Sequence, residues 1–465
     1  MNLSLLSVIA RRWMPDGFLI LALSCSPQAI AEGTAISTPL EENLEHPSSS
    51  QINEKNNLTL RDVVQLMLQN NPELASFSKE VHALEGIKIQ AAKYRNPELA
   101  VESEDINANN HPNTRAAQFT TIRFSQLIEL GGKRSARINA ASIGQELADK
   151  NYESKRLELI ARVANVFTNV LAGQEQLKLA EESMQLAQKV VNSATKRVES
   201  GKAPPIEETK SKVALSTTGI KLEQVRRELV AARKELSLLW GNPSPQFRKV
   251  LGNLESSVEI PSFEALEQRI HENPIILHSI KNIEQHKALL EIERLRRIPD
   301  VTIGAGVRRY TQADETTAIV NVSIPIPLFD LNQGNMQAAN QRMGKAIDEQ
   351  AATDLRLRSE LTRTYESLLA AQNEIKILHD EILPGARSSF DIVNKGYELG
   401  RFSFLEMLDA QRTLFQNQIL YIRALSNYHH LINEIERLIA SPIDRVEGQL
   451  ISIGSNKDHG GVNHE

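Results

Sequence analysis

Apolar positions along this chain follow two periods. Most of the chain stripes at helical spacing, and four short segments alternate instead. In residues 60–70, Val63, Val64, Met67 and Leu68 share one helical face behind a capping Thr59. Asn71-Pro72 breaks that helix and starts a second, which the spacing carries to about Tyr94 before Asn96-Pro97 ends it. Residues 98–105 and 118–126 then alternate. In the latter, Thr120, Ile122 and Phe124 take one face while Thr121, Arg123 and Ser125 take the other. Residues 107–113, rich in asparagine and holding Pro112, make the loop of this hairpin. Leu130-Gly131-Gly132-Lys133 punctuates. A helix from about Arg134 to Ser200 follows, with Ile138, Leu157, Val163, Phe167, Val170, Leu177 and Val190 in a heptad-like stripe. At ~1.5 Å per residue it is roughly 100 Å long, more than a compact globule needs. A further helix covers residues 206–240 and closes at Gly241-Asn242-Pro243.

The second half repeats this order about 200 residues on, the signature of an internal repeat. A short helix spans residues 263–272, Asn273-Pro274 stands for Asn71-Pro72, and Ile298-Pro299 stands for Asn96-Pro97. Alternation returns in residues 301–309 and 318–326. There Val320, Val322 and Ile324 oppose Asn321 and Ser323. A long helix is predicted from about Met336 to Tyr397, kinked or locally broken at Pro384, followed by a helix over residues 405–440.

Between the long helices lie two matched stretches, residues 197–212 (RVESGKAPPIEETKSK) and 396–411 (GYELGRFSFLEMLDAQ). With Gly400 laid on Gly201, Glu406 falls on Glu207. Each ends a helix at glycine, turns within a few residues and starts the next helix with acidic residues: a helical hairpin tip, built twice.

Composition narrows the class. The 465 residues carry a net charge of −5, which gives no footprint for a nucleic-acid partner. The single cysteine, Cys25, lies in an export-type leader: Arg11-Arg12, an apolar run over residues 18–23, and the small-x-small site Ala29-Ile30-Ala31. Cleavage after Ala31 is expected. Lipidation of Cys25 is the competing expectation, weakened by Ala22 where leucine would stand. The expected parts are residues 1–31 as signal peptide, 32–57 as polar arm, 58–250 and 251–440 as two structural repeats, and 441–465 as flexible tail. No later stretch approaches the ~18 consecutive apolar residues of a spanning helix.

Four strands of membrane-spanning length cannot close a barrel, and open edges are not tolerated in lipid. If these strands enter a membrane, the chain shares a barrel with copies of itself, two giving eight strands and three giving twelve. A soluble hairpin packed on a helical bundle is the other reading of the same pattern.

The duplicated plan resembles the TolC family of outer-membrane efflux channels. The motifs IELGGKRSARINAA (128–141), IPIPLFDLNQGN (324–335) and GYELGRFSFLEMLDAQRTLF (396–415) are most similar to its cobalt–zinc–cadmium and nickel–cobalt resistance branch. The resemblance covers roughly residues 58–440. It implies a mixed α and β membrane protein: a homotrimeric twelve-stranded outer-membrane β-barrel, four strands per chain, continuous with a long α-helical periplasmic barrel. It also implies a periplasmic adaptor and an inner-membrane RND pump as partners, with divalent heavy-metal cations as cargo. Drug efflux or type I secretion through the same fold, and a periplasmic coiled-coil scaffold without a pore, are the alternatives.

No catalytic constellation, phosphate loop or cofactor motif is present, so an enzyme is not expected. His429 and His430 diverge by ~100° on a helix and cannot share a metal; His459 and His464 lie in the polar tail. Glu406 and Asp409 are three apart, on one face of the last helix's first turn. Acidic residues suit that position for electrostatic reasons alone. In a trimer they also form carboxylate rings that attract cations at a constriction. By resemblance, Glu406 and Asp409 line the periplasmic gate, with glutamate at the first where the family has aspartate. Tyr397 and Glu207 match a hydrogen bond that holds the gate shut, although Ala203-Pro204-Pro205 departs from the usual tip. Gly201-Lys202 and Gly400-Arg401 put glycine and a cation at each apex, suited to close approach by an adaptor.

Overall fold

The computed structural model describes residues 57–104, 119–311 and 313–443. The expectations for Cys25, Ala31, the polar arm and the tail histidines lie outside the described residues. The first half runs β1 (Leu58–Thr59), α1 (Leu60–Asn70), α2 (Pro72–Ala91), β2 (Glu98–Glu104), β3 (Phe119–Ile128), α3 (Lys133–Glu199) and α4 (Pro205–Leu238). The second runs β4 (Val250–Leu251), α5 (Phe263–Arg269) with a 3-10 turn at Ile270–Glu272, α6 (Pro274–Leu295), β5 (Val301–Tyr310), β6 (Glu315–Ser323), α7 (Gln333–Ile377), α8 (Leu383–Glu398) and α9 (Phe404–Ile439).

Local chemistry explains the boundaries. Thr59 and Asp62 form a reciprocal capping box at the start of α1. Asn71 caps α2 by accepting from the Leu74 N–H at 2.9 Å, and its amide donates to the Leu239 carbonyl at 2.7 Å. Asn273 does the same in the second half, accepting from Ile275 N–H at 2.8 Å and donating to the Leu438 carbonyl at 2.8 Å. Each Asn-Pro pair thus opens one helix and ties it to the end of the last helix in its half. α2 stops at Ala91, short of Tyr94. Arg134 takes the Ala92 carbonyl with two N–H groups and lies over the Tyr94 ring at 4.3 Å, drawing the chain off the helix.

Two strand pairs join in one antiparallel sheet of order β2-β3-β5-β6, with β3 on β5 from Phe119↔Tyr310 to Ile128↔Val301. β6 ends at Ser323 instead of reaching residue 326, because Pro325 and Pro327 have no N–H for the ladder. Val320 and Val322 stay on the strand and Ile324 leaves it. One face exposes Leu99, Val101, Ile122, Phe124, Ile303, Val307, Val320 and Val322. The other holds buried Thr121 and Ser125, an Arg123–Glu102 ion pair at 2.7 Å and an Arg308 to Thr121 hydrogen bond at 3.0 Å. β2 and β6 are edges without a partner strand among the described residues.

α3 is the axis of the helical region and packs against α2, α4, α6 and α9. α4 packs chiefly on α3 at one side; α7 and α8 pack on α9 at the other. Leu159, Val163, Phe167 and Val170 of α3 are buried, and Leu266, Ile270, Leu357, Leu361, Leu368, Ile435 and Leu438 form a core in the second half. The break expected at Pro384 is a π-helical turn, Leu378–Ile382, just ahead of it. Pro384 cannot donate backward and its ring crowds the carbonyl four residues earlier; the wider turn accommodates both.

Candidate functional site

Both tips end their first helix in the same way. Gly201 (φ +70°) donates to the Val198 carbonyl at 3.0 Å and Lys202 to Arg197 at 2.8 Å; Gly400 (φ +76°) donates to Tyr397 at 3.0 Å and Arg401 to Gly396 at 2.7 Å. These are paired Schellman turns, and the positive φ is why glycine stands at each apex.

The helix starts differ. Ser403 caps α9, and Glu406 accepts from the Ser403 N–H and hydroxyl, each at 2.7 Å. The Ser403 backbone N–H, then its hydroxyl, hold the Glu406 carboxyl below its ordinary range. The matched cap of α4 is Pro204, which makes no side-chain hydrogen bond and has no N–H. Glu207, matched to Glu406, is therefore free, and it accepts the Tyr397 hydroxyl at 3.1 Å. Tyr397 is only 2% exposed. Burial, reinforced by the Glu207 charge, pushes its hydroxyl up to about 12, so it remains a donor at neutral pH.

Tyr397, Phe404 and Met407 of the second hairpin pack on Val190 and Ala194 of α3. Arg197 lies over the Tyr397 ring at 4.6 Å and donates to the Tyr397 carbonyl at 2.9 Å. Asp409 sits in the second turn of α9 rather than the first and pairs with Arg412 at 2.6 Å. A Cβ on Gly396 would collide with the Phe402 ring, so this glycine makes room for a side chain that folds the second tip onto itself. The structure thus brings Tyr397 and Glu207 together, keeps the carboxylates of Glu406 and Asp409 on local partners, and leaves Lys202 and Arg401 exposed at the apices.

Arg197 was not singled out from sequence. The signal available was its alignment on Gly396, a cation matched to no side chain. His429 points to the Leu254 carbonyl at 2.9 Å, while the ring of His430 lies between Asn165 and Asn169, each at 2.9 Å. Burial, and then the neighbouring His429, lowers the His430 pKa. Among the described residues no cluster of three or more His, Cys, Asp or Glu side chains could hold a metal ion, and no helix is long and apolar enough to cross a membrane.

Residues 63–242 and 265–441 match the outer membrane efflux protein family. The chain belongs to that family. Among curated efflux relatives, it is 36% identical to the cobalt-zinc-cadmium resistance protein CzcC of Cupriavidus metallidurans, over 82% of this chain and 90% of that protein. It is 28% identical to the nickel-cobalt-cadmium resistance protein NccC of Alcaligenes xylosoxydans xylosoxydans, over 49% of this chain and 51% of that protein. A solved structure of CusC superposes with a TM-score of 0.72 at 18% identity, over 82% of this chain and 92% of that one, and shares the efflux-channel fold.

Proposed function

We propose that this efflux protein is the outer-membrane channel of a tripartite RND-type system exporting divalent heavy-metal cations such as cobalt, zinc, cadmium or nickel. The likeness to CzcC across nine-tenths of that protein's length carries this reading. Three copies form a twelve-stranded barrel continuous with a helical periplasmic tunnel. The apolar, exposed face of the sheet meets lipid, its polar face lines the lumen, and the open edges β2 and β6 pair between copies. The helices support the same ring. Exposed Ile206, Val213 and Ile220 recur every seven residues on α4, and exposed Leu355, Leu369 and Ile392 lie on α7 and α8 at the opposite side. Such a heterologous contact closes when the rotation is right.

Residues 58–250 and 251–440 act as two repeats, a division supported by the matched asparagine ties and tips. Tyr397 and Glu207 latch the periplasmic tip shut, and Glu406 and Asp409 supply rings of carboxylates around the axis. Gly201, Lys202, Gly400 and Arg401 present the apices to a periplasmic adaptor. The chain hydrolyses nothing; an inner-membrane pump supplies the energy.

Growth of a deletion strain across zinc, cobalt, cadmium, nickel, copper and organic drugs tests the cargo. Sensitivity to divalent metals alone is expected, and sensitivity to drugs alone would reassign the substrate. A soluble protein with no detergent-resistant oligomer would count for a scaffold. Cross-linkers at residues 202 and 401 that trap no adaptor would count against docking at the tips.

A further inference from the structure

We propose that Arg197 is the positioning residue of the closed tip: it holds Tyr397 by ring and carbonyl so that the hydroxyl meets Glu207. This rests on reading the tip as a gate. Three observations converge on the one side chain. Its guanidinium lies over the phenol ring at 4.6 Å. It donates at 2.9 Å to the Tyr397 carbonyl, which also accepts the Gly400 N–H that closes the second turn. It places a cation at the C-terminal end of α8, where the carbonyls carry partial negative charge. Arg197 therefore fixes the turn that carries Tyr397 as well as the ring itself.

The contact runs one way. Arg197 is itself part of the first turn, its own carbonyl accepting the Lys202 N–H at 2.8 Å. The matched Gly396 has no side chain to return the grip. The Nε of Arg197 is buried without a hydrogen-bond partner, a cost the site accepts only where the same group's other contacts outweigh it. Lysine would offer neither the flat stack nor the fixed fork. With Arg197 on one side and Glu207 on the other, the first hairpin clamps a residue of the second from both flanks.

The test is a double-mutant cycle on the full-length protein in planar bilayers, read as closed-state conductance and as hydrogen exchange at the Gly400 and Arg401 amides. R197M should raise conductance by roughly ten-fold, the scale of a lost cation–π contact with a charged hydrogen bond. It should also make Y397F silent in the double variant, because the hydroxyl no longer reaches Glu207. R197K should fall between wild type and R197M, and it serves for the cycle if R197M fails to assemble. Additive effects of R197M and Y397F would overturn the positioning role, since a merely structural residue adds without coupling. Unchanged exchange and conductance in R197M, with Y397F still leaky, would overturn it while leaving the gate in place. Faster exchange with wild-type conductance in every variant would instead overturn the gate reading and leave the contact standing.

Discussion

At residue 204 the first tip has proline, and at the matched residue 403 the second has serine. The two turns above them share the same backbone, so the difference falls on the glutamate three residues later. Ser403 draws Glu406 back onto its own helix start, whereas Pro204 leaves Glu207 to reach across to Tyr397. One substitution at a cap thus decides whether a carboxylate serves its own helix or its neighbour. Position 197/396 diverges in a complementary way: arginine reaches out of the first tip, and glycine lets the second fold inward over Phe402. The first tip supplies side chains that grip; the second supplies the residue gripped.

The strongest way to break this contrast is Gly396→Ala. The new methyl meets the Phe402 ring, and overpacking of this kind costs about 1–3 kcal/mol. Hydrogen exchange of residues 396–403 should accelerate, and unchanged protection would mean Phe402 can move aside. Pro204→Ser should sharpen it by making the first tip imitate the second. With an N–H and a hydroxyl restored, Glu207 is drawn back and the Tyr397 bond weakens, a loss of about 1.5–3 kcal/mol where the carboxylate bond is fully released. Closed-state conductance should then rise several-fold and match Glu207→Gln; a silent P204S would show that the cap does not govern Glu207.

Ser403→Ala should cost about 1 kcal/mol in helix stability. It should also reduce a pH dependence. Because the folded-state pKa of Glu406 is lowered, the wild-type box contributes fully above the ordinary carboxylate value of 4.5 and is lost as pH falls through the lowered one. Acid unfolding followed by circular dichroism should show that limb in wild type and a smaller one in S403A, where only the Ser403 N–H still holds the carboxylate. The smallest effect belongs to Tyr397. Its raised pKa stabilises below the ordinary 10.0 and is lost as pH rises from there to about 12. Alkaline titration of stability should show a component between pH 10 and about 12 that Tyr397→Phe abolishes.

Much of this was legible in the chain. The tips announced themselves through glycine followed by acidic residues, and the sheet through alternation, because both depend on local pattern. Thr59 and the Asn-Pro pairs placed helix starts to the residue. The end of β6 was misplaced because Val322 and Ile324 continue an apolar alternation that Pro325 and Pro327 cut short through a missing donor. Pro384 marked the break in the long helix, yet the π-helical form of that break is a backbone adjustment with no side-chain pattern of its own. Arg197 escaped notice since its role exists only across 200 residues of chain, where the Tyr397 carbonyl happens to lie.

The asparagine ties have a consequence for how such a chain is made. Asn71 holds a carbonyl 168 residues further on, and Asn273 holds others 164 and 165 residues further on; neither tie reaches into the other half. A chain that emerges N-terminus first, as every chain leaves the ribosome, can therefore fasten its first half once residue 239 has emerged, before the second half is available. Synthesis then delivers two closures in sequence, each with its own clasp. Asn71→Ala is the change that should delay the first closure and leave the second on time.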